Sequence, residues 1–102
     1  AEANIKDYSE KSIGIWGTGD VATQILGELN ENEKLKICGF FNGNDLNLIG
    51  SNFGNFEILD YRKINEYNLR AIIIATYKFN DEIENQIKYY NKDKVIKIIN
   101  LK

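Results

Sequence analysis

The chain has 102 residues, a net charge of −2, 43% apolar and 27% charged residues, one cysteine, and no histidine, proline or methionine. That mixture fits one soluble globular domain and is too apolar for a disordered chain. Without histidine there is no Ser-His or Cys-His nucleophile pair and no imidazole metal ligand, and a lone Cys38 makes neither an internal disulfide nor a thiolate zinc site.

Two partner classes are excluded on the same grounds. Duplex nucleic acid needs clustered Lys and Arg, and the chain has no basic run. Membrane insertion needs about 20 consecutive apolar residues, which the chain does not have. A cytoplasmic location is the default expectation. The missing initial methionine points to a processed product or an excised domain, with neighbouring domains in a longer parent protein. A homo-oligomer is compatible with all of this.

Residues 1–11 are polar and read as a leader or linker, with Ile5 and Tyr8 spaced for a helical turn. The domain proper is expected over 12–102. Residues 12–16 (Ser-Ile-Gly-Ile-Trp) read as a buried strand, and Gly17-Thr18-Gly19 as a turn. From Asp20 to Glu31, the apolar residues Val21, Ala22, Ile25, Leu26 and Leu29 recur at helical spacing. Residues 30–34 are a polar break. Leu35 to Phe41 is the second strand, and 42–55 an Asn- and Gly-rich loop anchored by Leu46, Leu48, Ile49 and Phe53.

Phe56 to Leu59 reads as a short third strand, and Tyr61 to Tyr67 as a helical turn or two with Ile64 inward. Arg70 to Ala75 is the clearest strand; its continuous β-branched run predicts burial on both faces. Asn80 to Tyr89 is a helix with Ile83, Ile87 and Tyr90 on its inner stripe, and Lys94 to Ile99 is the last strand. Strands alternating with helices predict an α/β domain. It has a mostly parallel five-stranded sheet, order 3-2-1-4-5, between helical layers in a three-layer α/β/α arrangement.

The segment that carries chemistry is Gly17-Thr18-Gly19-Asp20-Val21-Ala22, a G-x-G-x-x-A pattern between a strand and a helix. Gly17 ends the strand with a tight turn, Gly19 lets a phosphate approach the backbone, and Ala22 lets helix and strand pack closely. The amides of Gly19, Asp20 and Val21 at the helix start form an anion site aided by the helix dipole. The same glycines would also serve a turn that binds nothing. Asp20 favours the helix dipole and can cap the helix, but it repels a pyrophosphate.

Where a carboxylate would hold the ribose hydroxyls of NAD, the second strand ends in Asn42, with Asp45 three residues on. No Lys or Arg stands there for a 2′-phosphate, so NADP is less favoured than NAD. Thr76 and Tyr77 follow the fourth strand, beside the first. Ligands of open α/β sheets bind at such strand ends, so Thr76 could bond a phosphate or ribose and Tyr77 could cover a base. Tyr90-x-x-x-Lys94 has a dehydrogenase-like spacing but straddles a helix end, and coincidence is the better reading. Cys38 reads as a small buried hydrophobe and Trp16 as core. Glu31, Glu33, Glu82 and Glu84 read as solvated faces. No metal is expected.

Ile13 to Ala22 resembles the opening of NAD-dependent sugar oxidoreductases. The longer stretch from residue 12 to 101 is similar to a small Rossmann-like domain. Its marks are Cys38-Gly39-Phe40-Phe41-Asn42, Phe56-Glu57-Ile58-Leu59, Arg70 to Thr76 and Glu82 to Ile87. Such domains occur in bacterial sugar O-acyltransferases, in polysaccharide-biosynthesis sugar dehydratases and beside glycosyl- or methyltransferases. The resemblance implies a nucleotide or nucleotide-sugar site at the ends of strands 1, 2 and 4, although those families usually carry Asp where this chain has Asn42.

Three functions follow as expectations. The first is a nucleotide or nucleotide-sugar binding module of a transferase-type parent, not catalytic by itself. The second is the NAD-binding fragment of an oxidoreductase. The third is a non-catalytic interaction domain, which an apolar patch at Phe40, Phe41 and Phe53 would favour.

Overall fold

The computed structural model describes residues 5–92 and 95–101. Its centre is strand β1 (Ile13–Trp16), which lies between β2 (Ile37–Phe41) and β5 (Ala71–Ile74), all parallel. Strand β6 (Lys97–Asn100) pairs in parallel with the other side of β5, so the sheet runs β2-β1-β5-β6. All four residues of β1 and all four of β5 are buried. This is the outcome expected of a strand covered on both faces.

Side chains alternate across the strands and create two cores. On one face Ile13, Ile15, Ile37, Phe40 and Ile73 pack with Ala22 of helix α1 (Asp20–Glu28). Ile5, which opens a 3-10 turn at Ile5–Asp7, and Tyr8, which follows it, pack on the same cluster. On the other face Trp16, Phe41, Ile72 and Ile74 pack with Ile83 and Ile87 of helix α3 (Asn80–Tyr90), and with Tyr61 and Ile64 of a 3-10 segment (Tyr61–Glu66). Along β2, Ile37 and Phe40 face the same core although three residues apart. The register explains this: Ile13 pairs with Ile37 but Gly14 with Gly39, so Cys38 is the extra residue of a bulge.

The sheet has four strands where the sequence predicts five. Residues 56–59 do not form a third parallel strand. Phe56–Glu57 (β4) instead pairs antiparallel with Asn52–Phe53 (β3), forming a small separate hairpin. Ile58 extends that hairpin on the edge away from β2, its N–H donating to Ser51 O at 2.8 Å and its carbonyl accepting from Gly50 N at 2.8 Å. On the β2 side the strand ends at once, because Asp60 already caps the 3-10 segment Tyr61–Glu66 through a bond from Arg62 N. A parallel bridge from Ile58 to Phe40, with a 2.7 Å bond from Leu59 N to Phe40 O, is the one strand pairing of this segment with β2 among the described residues, supported by the Phe56 ring 5.7 Å from that of Phe40.

Boundaries also differ. Strand β2 starts at Ile37 rather than Leu35, because Leu35 closes the helical turn before it, its N–H donating to Glu31 O. Helix α1 stops at Glu28, not Glu31, because a separate turn α2 (Glu31–Lys34) starts behind it. The Asn30 side chain accepts from Glu33 N, and Glu33 Oε1 accepts from Asn30 N, a capping box that fixes this start. The last strand begins at Lys97; the expected start at Lys94 lies outside the described residues. The supposed apolar patch is absent. Phe40 and Phe41 are fully buried, and Phe53 is half-buried with its ring 4.8 Å from that of Phe40. Among the described residues no helix is long and apolar enough to cross a membrane.

Candidate functional site

At the end of β1 the chain turns at Gly17, whose φ is +133°. Its N–H donates to Phe41 O at 2.8 Å, tying the turn to β2. A Cβ on this residue would stand 2.8 Å from the backbone oxygen of Ala75, just past β5. Both the backbone angle and the space require glycine here. Gly19 differs. Its φ is −108°, extended backbone that any residue adopts, and a Cβ there would meet nothing within 4 Å.

Gly19 is the N-cap of α1, so the helix begins with no side-chain cap. Asp20, expected to cap, is the first helical residue instead. Gly19 O accepts from Thr23 N at 3.0 Å and from Thr23 Oγ1 at 3.1 Å. The first-turn amides that follow have no intrahelical acceptor and carry the positive end of the dipole. Helix α3 starts in the same bare manner. Its N-cap, Phe79, sits in the left-handed region (φ 61°, ψ 27°) and makes no side-chain cap. By contrast the side chains of Asn30, Asp45 and Asp60 cap α2 and the 3-10 segments Leu46–Leu48 and Tyr61–Glu66.

Both uncapped starts open on one cleft of about 520 Å³. Known small-molecule sites span roughly 300–1,000 Å³. Trp16 and residues 17–21 form one part of its lining, and Asn42, Gly43 and Asn44 after β2 form another. Ala75, Thr76, Lys78, Phe79, Glu82, Ile83 and Gln86 form the rest. The indole of Trp16 is only 3% exposed and stacks on Phe41 at 5.6 Å, so this part of the lining is rigid. Lys78 is the cation of the lining, and Asp20 and Glu82 are its carboxylates.

Asn42 joins two walls of the cleft. Its Nδ2 donates to Thr18 Oγ1 at 2.9 Å, and its Oδ1 accepts from Asn44 N at 2.8 Å and Asp45 N at 3.1 Å. Because the Thr18 hydroxyl accepts from Asn42, its own proton can be donated elsewhere. Asp45 does not fold back to the cleft; its Oδ1 accepts from Asn47 N at 2.9 Å and caps the following turn.

Of the residues singled out from sequence, Gly17, Thr18, Gly19, Asp20, Val21, Asn42 and Thr76 line this one cleft. Tyr77 does not; it is 60% exposed and lies outside the lining. Thr76 Oγ1 accepts from Lys78 N at 3.2 Å, which helps set the turn into α3. Sequence reasoning missed Lys78, Phe79 and Gln86; Glu82 is exposed, as expected of a solvated face, and also lines the cleft. Glu82 and Gln86 each precede a core isoleucine, Ile83 and Ile87, and so flank the buried stripe of α3. That spacing was the available signal.

Elsewhere the chemistry is quiet. Burial pushes the Cys38 thiol up, against a smaller opposing effect of Lys11. Tyr90 packs edge-on against Tyr61 at 5.6 Å, and its sequence partner Lys94 lies outside the described residues. Among the described residues no group of three or more Asp, Glu or Cys is gathered as for a metal ion.

The chain belongs to the C2185-like N-terminal domain family, whose model matches residues 9–98. No curated protein and no solved structure matches it.

Proposed function

For this C2185-like N-terminal domain we propose a Rossmann-like binding module that takes a nucleotide or nucleotide-sugar through a phosphate at residues 17–21. Its parent would act in bacterial sugar or surface-polysaccharide biosynthesis, in keeping with the resemblance of residues 12–101. The Ile58–Phe40 bridge is the rudiment of a fifth strand, which would complete the order 3-2-1-4-5. The module binds rather than catalyses.

Gly19 is the observation that carries this reading. The fold asks for glycine at Gly17 but not at Gly19. Ser, Thr, Asp or Asn there would cap α1 better. A glycine at that point keeps the first-turn amides open to the cleft, which is what an approaching phosphate needs. Gly27 is equally unhindered but does not line the cleft.

The test uses Trp16 as reporter, together with thermal unfolding, against UDP-glucose, NAD and coenzyme A. A ligand at 100 times its Kd should add about 2.7 kcal/mol, or roughly 10–20 °C in Tm for a domain this size. Gly19→Leu should fold normally and lose the response. A response to UDP-glucose supports the nucleotide-sugar reading, and one to NAD alone the oxidoreductase fragment. No response to any of the three, or binding that survives Gly19→Leu, would overturn the proposal.

A further inference from the structure

The sugar hydroxyls of such a ligand need acceptors, and the usual place for them, the end of β2, is closed. Asn42 Oδ1 already accepts two backbone N–H groups, and Asp45 caps the next turn outside the cleft. Two other cleft side chains remain. Glu82 and Gln86 lie four residues apart on α3, so they stand one above the other on a single helical face. Among the described residues neither makes a side-chain hydrogen bond. Gln86 Oε1 reaches across to Gly43, 3.2 Å from where a Cβ would stand, beside the Trp16 indole.

We propose that Glu82 and Gln86 are the specificity-determining pair that receives a vicinal diol lying next to the phosphate held at residues 17–21. The inference rests on the binding reading above and deepens it by naming the ligand class and its direction in the cleft. A carboxylate accepts both hydroxyl protons of a diol, and a carboxamide can donate to one oxygen and accept from the next. The Glu82 charge repels phosphate, so the anion stays at the glycine turn and the diol falls on the α3 side. The ligand is therefore oriented from the opposite wall to that used when a carboxylate ends the second strand. The diol can come from a ribose or from a glycosyl ring.

The experiment compares wild type, Glu82→Gln and the double variant Glu82→Ala/Gln86→Ala with four probes: UDP-glucose, UMP, glucose 1-phosphate and inorganic pyrophosphate. Neither side chain belongs to the two cores, so the variants fold. The double variant should bind UDP-glucose about 10- to 100-fold more weakly, the loss expected for hydrogen bonds to a charged group. Pyrophosphate should bind unchanged or more tightly, because a negative charge is removed. Loss with UMP assigns the diol to ribose, and loss with glucose 1-phosphate assigns it to the sugar.

An equal loss for pyrophosphate, or unchanged UDP-glucose binding in the double variant, overturns the inference. If Gly19→Leu abolishes binding while the double variant binds as wild type does, only this inference fails. If wild type binds none of the four probes, the binding reading fails with it.

Discussion

The two glycines of the turn make opposite predictions about stability. At Gly17 an alanine would sit at φ +133°, in a region essentially reserved for glycine, at about 1–3 kcal/mol of strain. Its Cβ would also stand 2.8 Å from Ala75 O. That oxygen belongs to backbone just past β5, which is held on both sides by β1 and β6, so it cannot move aside. Overpacking of this kind costs a further 1–3 kcal/mol or so. A domain of this length has roughly 5–15 kcal/mol in total, so Gly17→Ala should lose a large share of it.

At Gly19 an alanine meets nothing within 4 Å and keeps ordinary extended backbone. A weaker N-cap and a stiffer unfolded chain oppose each other, and Gly19→Ala should stay within about 1 kcal/mol of wild type. Urea unfolding followed by far-UV circular dichroism measures both, provided the slopes agree. A Gly17→Ala protein as stable as wild type would refute the turn geometry. A Gly19→Ala protein weakened by more than about 2 kcal/mol would show that packing demands this glycine. Its identity would then say nothing about a ligand.

Two further outcomes are expected. Phe79 holds a left-handed conformation although the residue is 69% exposed, so Phe79→Asn should relieve strain with little burial lost. Urea unfolding should show a gain of about 0.5–1 kcal/mol, and a loss of stability would mean that the ring is held by packing. Asp60 accepts from Arg62 Nε and Nη2, each at 2.9 Å, and from Arg62 N at 3.0 Å. The hydrogen bonds from the Arg62 side chain come first among the causes that hold its carboxyl below the usual range. The folded pKa thus lies below the unfolded value of about 3.9. The contribution is complete above that value and is lost as pH falls through the folded pKa. Asp60→Asn should therefore flatten the acid side of the stability profile, and parallel profiles for the two proteins between pH 2 and 6 would contradict the pairing.

Much of the frame could be read from the chain because its signals are local. The run Ala71-Ile72-Ile73-Ile74 has no polar face, and only a doubly covered strand accommodates it. The isoleucines Ile83 and Ile87 set the inner face of α3, and the glycine turn with the ends of β2 and β5 accounts for seven cleft residues. What was missed depends on competition between backbone partners. Phe56 to Leu59 has strand-forming residues, yet its first half closes a hairpin on Asn52–Phe53 and its end runs straight into the Asp60 cap, so little of it is left to pair with β2. Gly54-Asn55 between Phe53 and Phe56 is a hairpin signal, but it lies in a loop full of similar residues. The left-handed Phe79 leaves no trace in sequence, because phenylalanine is not a residue that advertises that conformation. The capping box at Asn30 and Glu33 was legible, and was overshadowed by the charge of its neighbours.

An amide rather than a carboxylate at Asn42 has a consequence that reaches across the cleft. An aspartate at this position could still accept from the amides of Asn44 and Asp45. Its second oxygen would face Thr18 Oγ1, 24 residues away in sequence, and would draw the hydroxyl proton toward itself. The amide does the reverse. Nδ2 donates to Oγ1, which leaves the Thr18 proton for the cleft, in the middle of the glycine turn. Compared with an aspartate, Asn42 thus leaves the β2 end without a negative charge and adds a donor beside the bare amides of α1. On the proposed reading both differences favour an anion at the turn and leave the accepting of hydroxyls to the carboxylate and carboxamide of α3. Asn42→Asp tests the link directly, since it should weaken pyrophosphate binding even though every backbone bond around the turn can be kept.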